Sequence, residues 1–438
     1  MKKLNTYYIR TYGCQMNELD SEILSTQLEN RDIKKVEKED IADLIILNTC
    51  SIRDAAEQKV LGKLYEYKKS KDKIIGICGC MAMSKKEELL KKFKHLDFIL
   101  GTNNLLDLNN VLDDLIIKKN IQRKKIDTTY EKGLDNFFAK RVNKIKASIS
   151  IIRGCNNYCS YCIVPQTRGK EVSRDYKSII KETKHLANLG YKEITLLGQN
   201  VNSYGLDKPE WKIHFSDLLY ELDKIEGIDR IRFMTSHPKD ITKELMYAIR
   251  DLKKVCEFVH FPVQSGSDEI LKKMRRTYTS EYYLTQVNLL KSIVPNATIG
   301  TDIIVGFPNE TDEDFNQTYK LFDKVSFDTA FIFAYSPRQK TYAARLEDNV
   351  PNEIKQIRLK KLLSLFHETL KKKYQNLIGS KQEVLVERHN KDGLFLKGRT
   401  RTFEKVIFKG DPKLIGSLQI INIEDFSHQT LKGHISLT

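Results

Sequence analysis

Three absences narrow the field. No run of apolar residues approaches the roughly 18 that a membrane span needs, so a helical membrane protein is excluded. The opening MKKLNTYYIR has two lysines with no apolar stretch behind them. No secretory signal is therefore expected, and the expected location is the cytoplasm. Cysteine is sparse, with eight in 438 residues. In a large cytosolic chain that excludes a disulfide scaffold and points to metal binding or catalysis. No short-period repeat or low-complexity tract stands out either.

Against these absences stand a 40% apolar fraction, enough for a real core, and a formal net charge of +16. The charge favours a polyanionic partner such as nucleic acid. Length allows two or three domains. The first hundred residues alternate strand and helix. YYIRTYGC, DLIILNTC, KIIGICGC and LDFILGT read as strands, with helices expected over 20–30, 52–69 and 85–93. That alternation predicts a doubly wound parallel sheet. A charged, patchy stretch follows and reads as a short helix and a linker. From Ala147 to about Tyr335 six further strands alternate with helices, predicting a partial βα barrel. Residues 352–379 form one amphipathic helix, with Ile354, Ile357, Leu362, Leu365, Phe366 and Leu370 on its stripe. Short strands and glycines at the end predict a small β-barrel. The expected class is α/β, with domains at 3–120, 141–372 and 375–438 and a linker at 121–140.

RGCNNYCSYCIVPQTRG places Cys155, Cys159 and Cys162 directly after the first barrel strand. Zinc usually takes a closed set of four ligands, and no fourth Cys or His lies nearby. Three thiols on a four-iron cluster leave one iron open to a small chelator, such as the amine and carboxylate of an amino acid. CxxxCxxC after the first strand of a βα barrel resembles the radical S-adenosylmethionine (SAM) superfamily. There, the resemblance implies, SAM binds the open iron and is cleaved to a 5′-deoxyadenosyl radical.

The resemblance extends along the chain. TYGCQMNELDSE, NTCSIRDAAEQK, GCMA, RGCNNYCSYCIVPQTRGKEVSR, LLGQNVNSYG, RIRFMTSHP, PVQSGS, LKKMRRTYT and TDIIVGFP occur in this order. The set is similar to the methylthiotransferases, and the closing barrel resembles their RNA-binding TRAM domain. Arg153 stands where that family more often has Glu, and Asn309 where it usually has Gly. The family implies an auxiliary 4Fe–4S cluster in the first domain. Cys14, Cys50 and either Cys78 or Cys80 end successive predicted strands, where parallel sheets hold ligands. Strand periodicity does not separate Cys78 from Cys80. Cys80 lies nearer the strand end and matches GCMA, so it is assigned, and Cys78 and Cys256 are read as core.

Asn17, Asp20 and Ser21 read as helix caps. His237 and His260 read as structural. Gln199, Ser236, Gln264 and Asp302, at or near barrel strand ends, are candidate SAM contacts. Arg168, Lys397, Arg399, Arg401 and Phe403 are candidate RNA contacts. The resemblance implies methylthiolation at C2 of N6-isopentenyladenosine at position 37 of tRNA, using two 4Fe–4S clusters, SAM and an electron donor such as flavodoxin or ferredoxin. The expected state is a monomer away from membranes. Rival readings are a threonylcarbamoyl-adenosine or ribosomal-aspartate acceptor, a non-catalytic RNA-binding iron–sulfur protein, and a zinc-stabilised RNA-binding protein.

Overall fold

Runs of Ile, Leu and Tyr that end in Gly-Cys or Thr-Cys become parallel strands. The computed structural model describes residues 4–51, 54–70, 72–117, 124–125, 137–390 and 393–436. The expected linker lies mostly outside them. The first sheet comprises β1 (Thr6–Thr11), β2 (Lys34–Lys35), β3 (Leu44–Thr49), β4 (Ile74–Gly79), β5 (Phe98–Leu100) and β6 (Lys124–Lys125). Its order is β2-β1-β3-β4-β5-β6, and every pairing is parallel. β3 is buried along its whole length, as a sheet covered on both faces requires. Leu44 and Ile46 join a core on one face with Tyr7, Leu24 and Leu112. Ile45 and Leu47 join a second core with Val60, Leu64 and Phe93. The alternation along β3 is what makes the sheet doubly wound.

The central unit holds β7 (Lys146–Ser150), the short hairpin β8 (Ile152–Arg153) and β9 (Val172–Ser173), then β10 (Glu193–Leu197), β11 (Arg230–Met234), β12 (Phe258–His260), β13 (Thr298–Val305) and β14 (Thr329–Ala334). Two parallel groups, β11-β10-β7 and β12-β13-β14, meet where Ile231 bridges Val255. Among the described residues β7 and β14 have no pairing to each other, so the barrel is open on that side. Several of its helices begin at a capping threonine. Thr242, Thr279 and Thr311 each accept the backbone N–H three residues on, a contact worth about 1 kcal/mol apiece.

The helix Asn352–Leu377 departs from expectation at its start. Ile357 is exposed, whereas Lys355 and Arg358 are buried. Arg358 reaches Glu310 and Asp312 at 2.9 and 2.8 Å, and Lys355 reaches Asp348 at 2.6 Å. Ion pairing rather than apolar packing fixes the first turn, and the apolar stripe takes over from Leu362. The last unit is a closed barrel of β15 (Lys381–His389), β16 (Phe395–Thr400), β17 (Lys405–Lys409), β18 (Leu418–Ser427) and β19 (Thr430–Ile435), in the order β15-β16-β17-β19-β18. It caps the amino end of the open barrel. Arg230 and Arg232 of β11 donate to the backbone carbonyls of Arg399, Thr400 and Arg401.

Candidate functional site

β1, β3 and β4 are neighbours in the first sheet, and a cysteine follows each at its carboxyl end. Cys14 is the N-cap of the helix Gln15–Glu29. Its preceding glycine, Gly13, has φ +116°, and a Cβ there would stand 2.7 Å from the Cβ of Cys50. Only glycine lets the backbone just before Cys14 pass this close to Cys50. Gly79 has φ +93°, and a Cβ on it would press on the Thr49 carbonyl at 2.3 Å. That left-handed residue ends the strand alternation that leaves Cys78 and Cys80 equivalent in sequence. Cys78 lies fully buried in the first core, while Cys80 opens the helix Cys80–Ser84.

Asn17, Asp20 and Ser21 do not cap the helix; all three are buried within it. The Asn17 amide donates to the carbonyls of Tyr12 and Thr49 at 2.8 and 2.9 Å, just upstream of Cys14 and Cys50. Asn48 in turn donates to the Asn17 carbonyl and to Ser21 Oγ. Arg168 arrives from the central unit. Its Nη2 donates to Asn17 Oδ1 at 3.1 Å and Asp20 Oδ2 at 2.9 Å, and its charge is felt by Cys14 and Cys80. The sequence suggested an RNA contact for Arg168, but the side chain is buried beside the N-terminal thiols. Arg153 approaches the same Asp20, at 3.6 Å.

The second set of thiols lies in the loop after β8. Cys155 N–H donates to the Gly169 carbonyl, and Cys162 N–H to the Cys159 carbonyl. Ser160 pins the loop to the carbonyls of Lys273 and Met274. Asn157 donates to Cys155 Sγ at 3.5 Å, and Arg276 Nη1 to Cys159 Sγ at 3.4 Å. Burial first, then repulsion from Cys159, pushes the Cys162 thiol up to about 12. Burial raises Cys155 as well. A thiolate here needs a cation close by; the buried Arg276 is one, and a bound metal would be another.

The rim is built from strand ends. Gln199 Oε1 and Ser236 Oγ are buried and have no hydrogen-bond partner among the described residues. Such unfilled capacity suits a bound ligand. Gln264 sits at φ +73° and Thr235 at φ +72°, strained conformations that cluster at functional sites. Asp302 lies within β13 and meets His260 Nε2 at 3.2 Å. His237 Nδ1 accepts the Lys239 N–H, and burial drives its pKa down to about 2. Glu171, which sequence reading passed over, faces Asp207 and Asp240, and burial lifts its carboxyl to about 7. Its signal in the sequence would have been three carboxylates in three loops on one barrel mouth.

The other expected RNA residues sit at the opposite, amino end of the barrel. Arg401 grips Glu257 at 2.7 Å and the carbonyls of Lys253 and Val255. Phe403 stacks on Phe258 with ring centres 4.7 Å apart, and the Arg399 guanidinium lies 4.2 Å from the Phe403 ring centre. These three dock the C-terminal barrel, Lys397 is half-buried, and the exposed aromatic of the stretch is Phe395. A cavity of roughly 390 Å³ runs along the open barrel edge, from Gln15 and Glu18 past Ser148 and Thr195 to Arg399 and Phe403.

Among the described residues no three Cys, His, Asp or Glu groups close on a single point. Cys14, Cys50 and Cys80 follow neighbouring strands of the first sheet, and Cys155, Cys159 and Cys162 share one loop. Residues 6–101 match the family profile described as uncharacterized protein family UPF0004, and residues 149–322 match the radical SAM superfamily. The tRNA-2-methylthio-N(6)-dimethylallyladenosine synthase of Protochlamydia amoebophila is 56% identical over 99% of this chain and 97% of its own. The chain belongs to the tRNA-2-methylthio-N6-dimethylallyladenosine synthase family. The enzyme of that name from Thermoanaerobacter pseudethanolicus is 47% identical over 98% of this chain and 92% of its own. The radical SAM methyltransferase TsrM from Kitasatospora setae, solved with cobalamin and a [4Fe-4S] cluster, shares the fold. Its TM-score is 0.57 at 14% identity, over 78% of this chain and 77% of that one. Members of the synthase family are radical SAM methylthiotransferases, and SAM and two 4Fe–4S clusters are their cofactors. The described part of this chain has no helix long and apolar enough to cross a membrane.

Proposed function

We propose that Cys14, Cys50 and Cys80 hold an auxiliary 4Fe–4S cluster and that Cys155, Cys159 and Cys162 hold the cluster that binds SAM. The chain would then add a methylthio group to C2 of N6-isopentenyladenosine at position 37 of tRNA in the cytoplasm. The single observation that carries this reading is the pairing of two three-thiol sets, each at the carboxyl end of its own parallel sheet. Together the loaded groups supply a radical able to remove an unactivated ring hydrogen, and a source of sulfur. The chain's own residues position and enclose. Asn157 and Arg276 hold donor hydrogens on Cys155 and Cys159. Gln199 and Ser236, buried and unpartnered, orient SAM, with Gln264 and Asp302 beside them. The target base lies in a stacked loop, so it leaves the stack to enter. The domains split at 3–120, 141–372 and 375–438. A monomer suffices, and an external donor such as flavodoxin or ferredoxin supplies the electron that SAM cleavage consumes. The test is anaerobically reconstituted protein, dithionite, SAM and isopentenylated tRNA, with nucleosides read by mass spectrometry. The 2-methylthio product is expected; its absence, with both clusters loaded, overturns the acceptor.

A further inference from the structure

Cys162 and Arg168 belong to one short segment that touches both thiol sets. The helix Val164–Arg168 starts two residues after Cys162. The Gly169 carbonyl behind it takes the Cys155 N–H. The Thr167 carbonyl takes the Thr102 hydroxyl at 2.5 Å, which fixes the segment to the first domain. The helix packs against Cys80–Ser84. Its last side chain then crosses into the N-terminal site. Arg168 is 4% exposed. One of its terminal nitrogens is spent on Asn17 and Asp20. The other, Nη1, is buried and has no hydrogen-bond partner among the described residues. A buried guanidinium N–H left unpaired is costly. The neighbours whose charge Arg168 feels are Asp20, Cys80 and Cys14. Asp20 Oδ2 is already bound, and neither Asp20 Oδ1 nor Asn48 Oδ1 accepts a hydrogen bond from Nη1, so the acceptor class left to this nitrogen is sulfur held at the thiol site.

We infer that Arg168 donates its Nη1 hydrogens to sulfur at the Cys14–Cys50–Cys80 site, so that a residue from the domain of one cluster sets the charge balance of the other. This rests on the reading of those three cysteines as cluster ligands. Hydrogen bonds to cluster sulfurs and net charge both set reduction potential. A guanidinium favours the more negative, reduced form, and losing it lowers the potential.

The experiment uses the full chain carrying Cys155→Ala, Cys159→Ala and Cys162→Ala, reconstituted anaerobically, so that a single cluster is observed. Iron per chain and the midpoint potential, by EPR-monitored redox titration, are compared with Arg168→Lys and Arg168→Gln added. We expect iron to stay at the parent level and the potential to fall, further for Gln than for Lys, which keeps the charge. An unchanged potential in Arg168→Gln with iron retained would overturn the inference. So would loss of iron in both variants, since Arg168 would then be a strut for the site rather than a partner of what it holds. If the parent itself binds no iron, or keeps it when Cys14→Ala is added, the ligand reading fails instead.

Discussion

Gly13 shows how much of the site turns on single residues. Its φ of +116° is one that a Cβ disfavours, and the added carbon would stand 2.7 Å from Cys50 Cβ and 3.1 Å from its sulfur. Gly13→Ala should therefore displace Cys14 while leaving both cores of the first domain intact. We expect iron after reconstitution to fall from about eight to about four per chain, with an unchanged far-ultraviolet circular dichroism spectrum. Full iron in that variant would show that Cys14 is not held against Cys50. His237 is the complementary case, a residue silenced by its surroundings. Burial, followed by the charges of Arg276 and Lys239, lowers its pKa to about 2. A base whose folded pKa is depressed adds stability above its unfolded value near 6.5 and loses it as pH falls below that. Carbon-13 NMR of labelled imidazole should show no His237 titration down to pH 5. A midpoint near 6.5 would mean that its ring reaches water.

The elements were legible where apolar runs were long and bounded by glycine. β3 follows from that pattern, because burial on both faces leaves its run LIILNT unbroken by charge. Other features were not legible, and each has a physical cause. Strand alternation could not part Cys78 from Cys80, since the break depends on the left-handed Gly79. A helix-start sequence suggested caps at Asn17 and Asp20, but tertiary partners 31 to 151 residues away claim them. The basic, aromatic stretch at 397–403 resembles an RNA face by composition, yet Arg399, Arg401 and Phe403 are spent on docking. That docking gives a prediction at this scale. Arg232 is buried with Glu193 at 2.8 Å and also holds the carbonyls of Thr400 and Arg401. Arg232→Met strands the Glu193 carboxylate, a loss of about 3–5 kcal/mol. Limited proteolysis should release residues 380–438 faster than from the parent, and adding Glu193→Leu should slow that release again. Equal release rates would remove Arg232 from the joint.

Across the whole molecule the two ends of the open barrel divide the work. Its carboxyl end faces the loop of Cys155, Cys159 and Cys162, and its amino end is closed by the small barrel. An RNA that offers a base to the first while resting on the second must lie along the molecule, and the +16 charge provides the attraction. On the small barrel the exposed groups of the β16–β17 face include Phe395, its cross-strand partner Lys409 and Lys405, whereas Arg401 is engaged with Glu257. Each phosphate neutralised adds roughly 0.7 to 0.9 to the slope of log affinity against log salt. Stacking of a base is worth about 1–3 kcal/mol and carries little salt dependence of its own. Fluorescence anisotropy with isopentenylated tRNA at several salt concentrations separates these terms. Lys409→Ala should lower the slope by the value of one phosphate. Phe395→Ala should weaken binding at every salt concentration and leave the slope alone. Arg401→Ala should leave the slope unchanged, because its charge is already paired within the protein. A slope that drops for Arg401→Ala but not for Lys409→Ala would place the RNA at the joint between the barrels instead of on the exposed face.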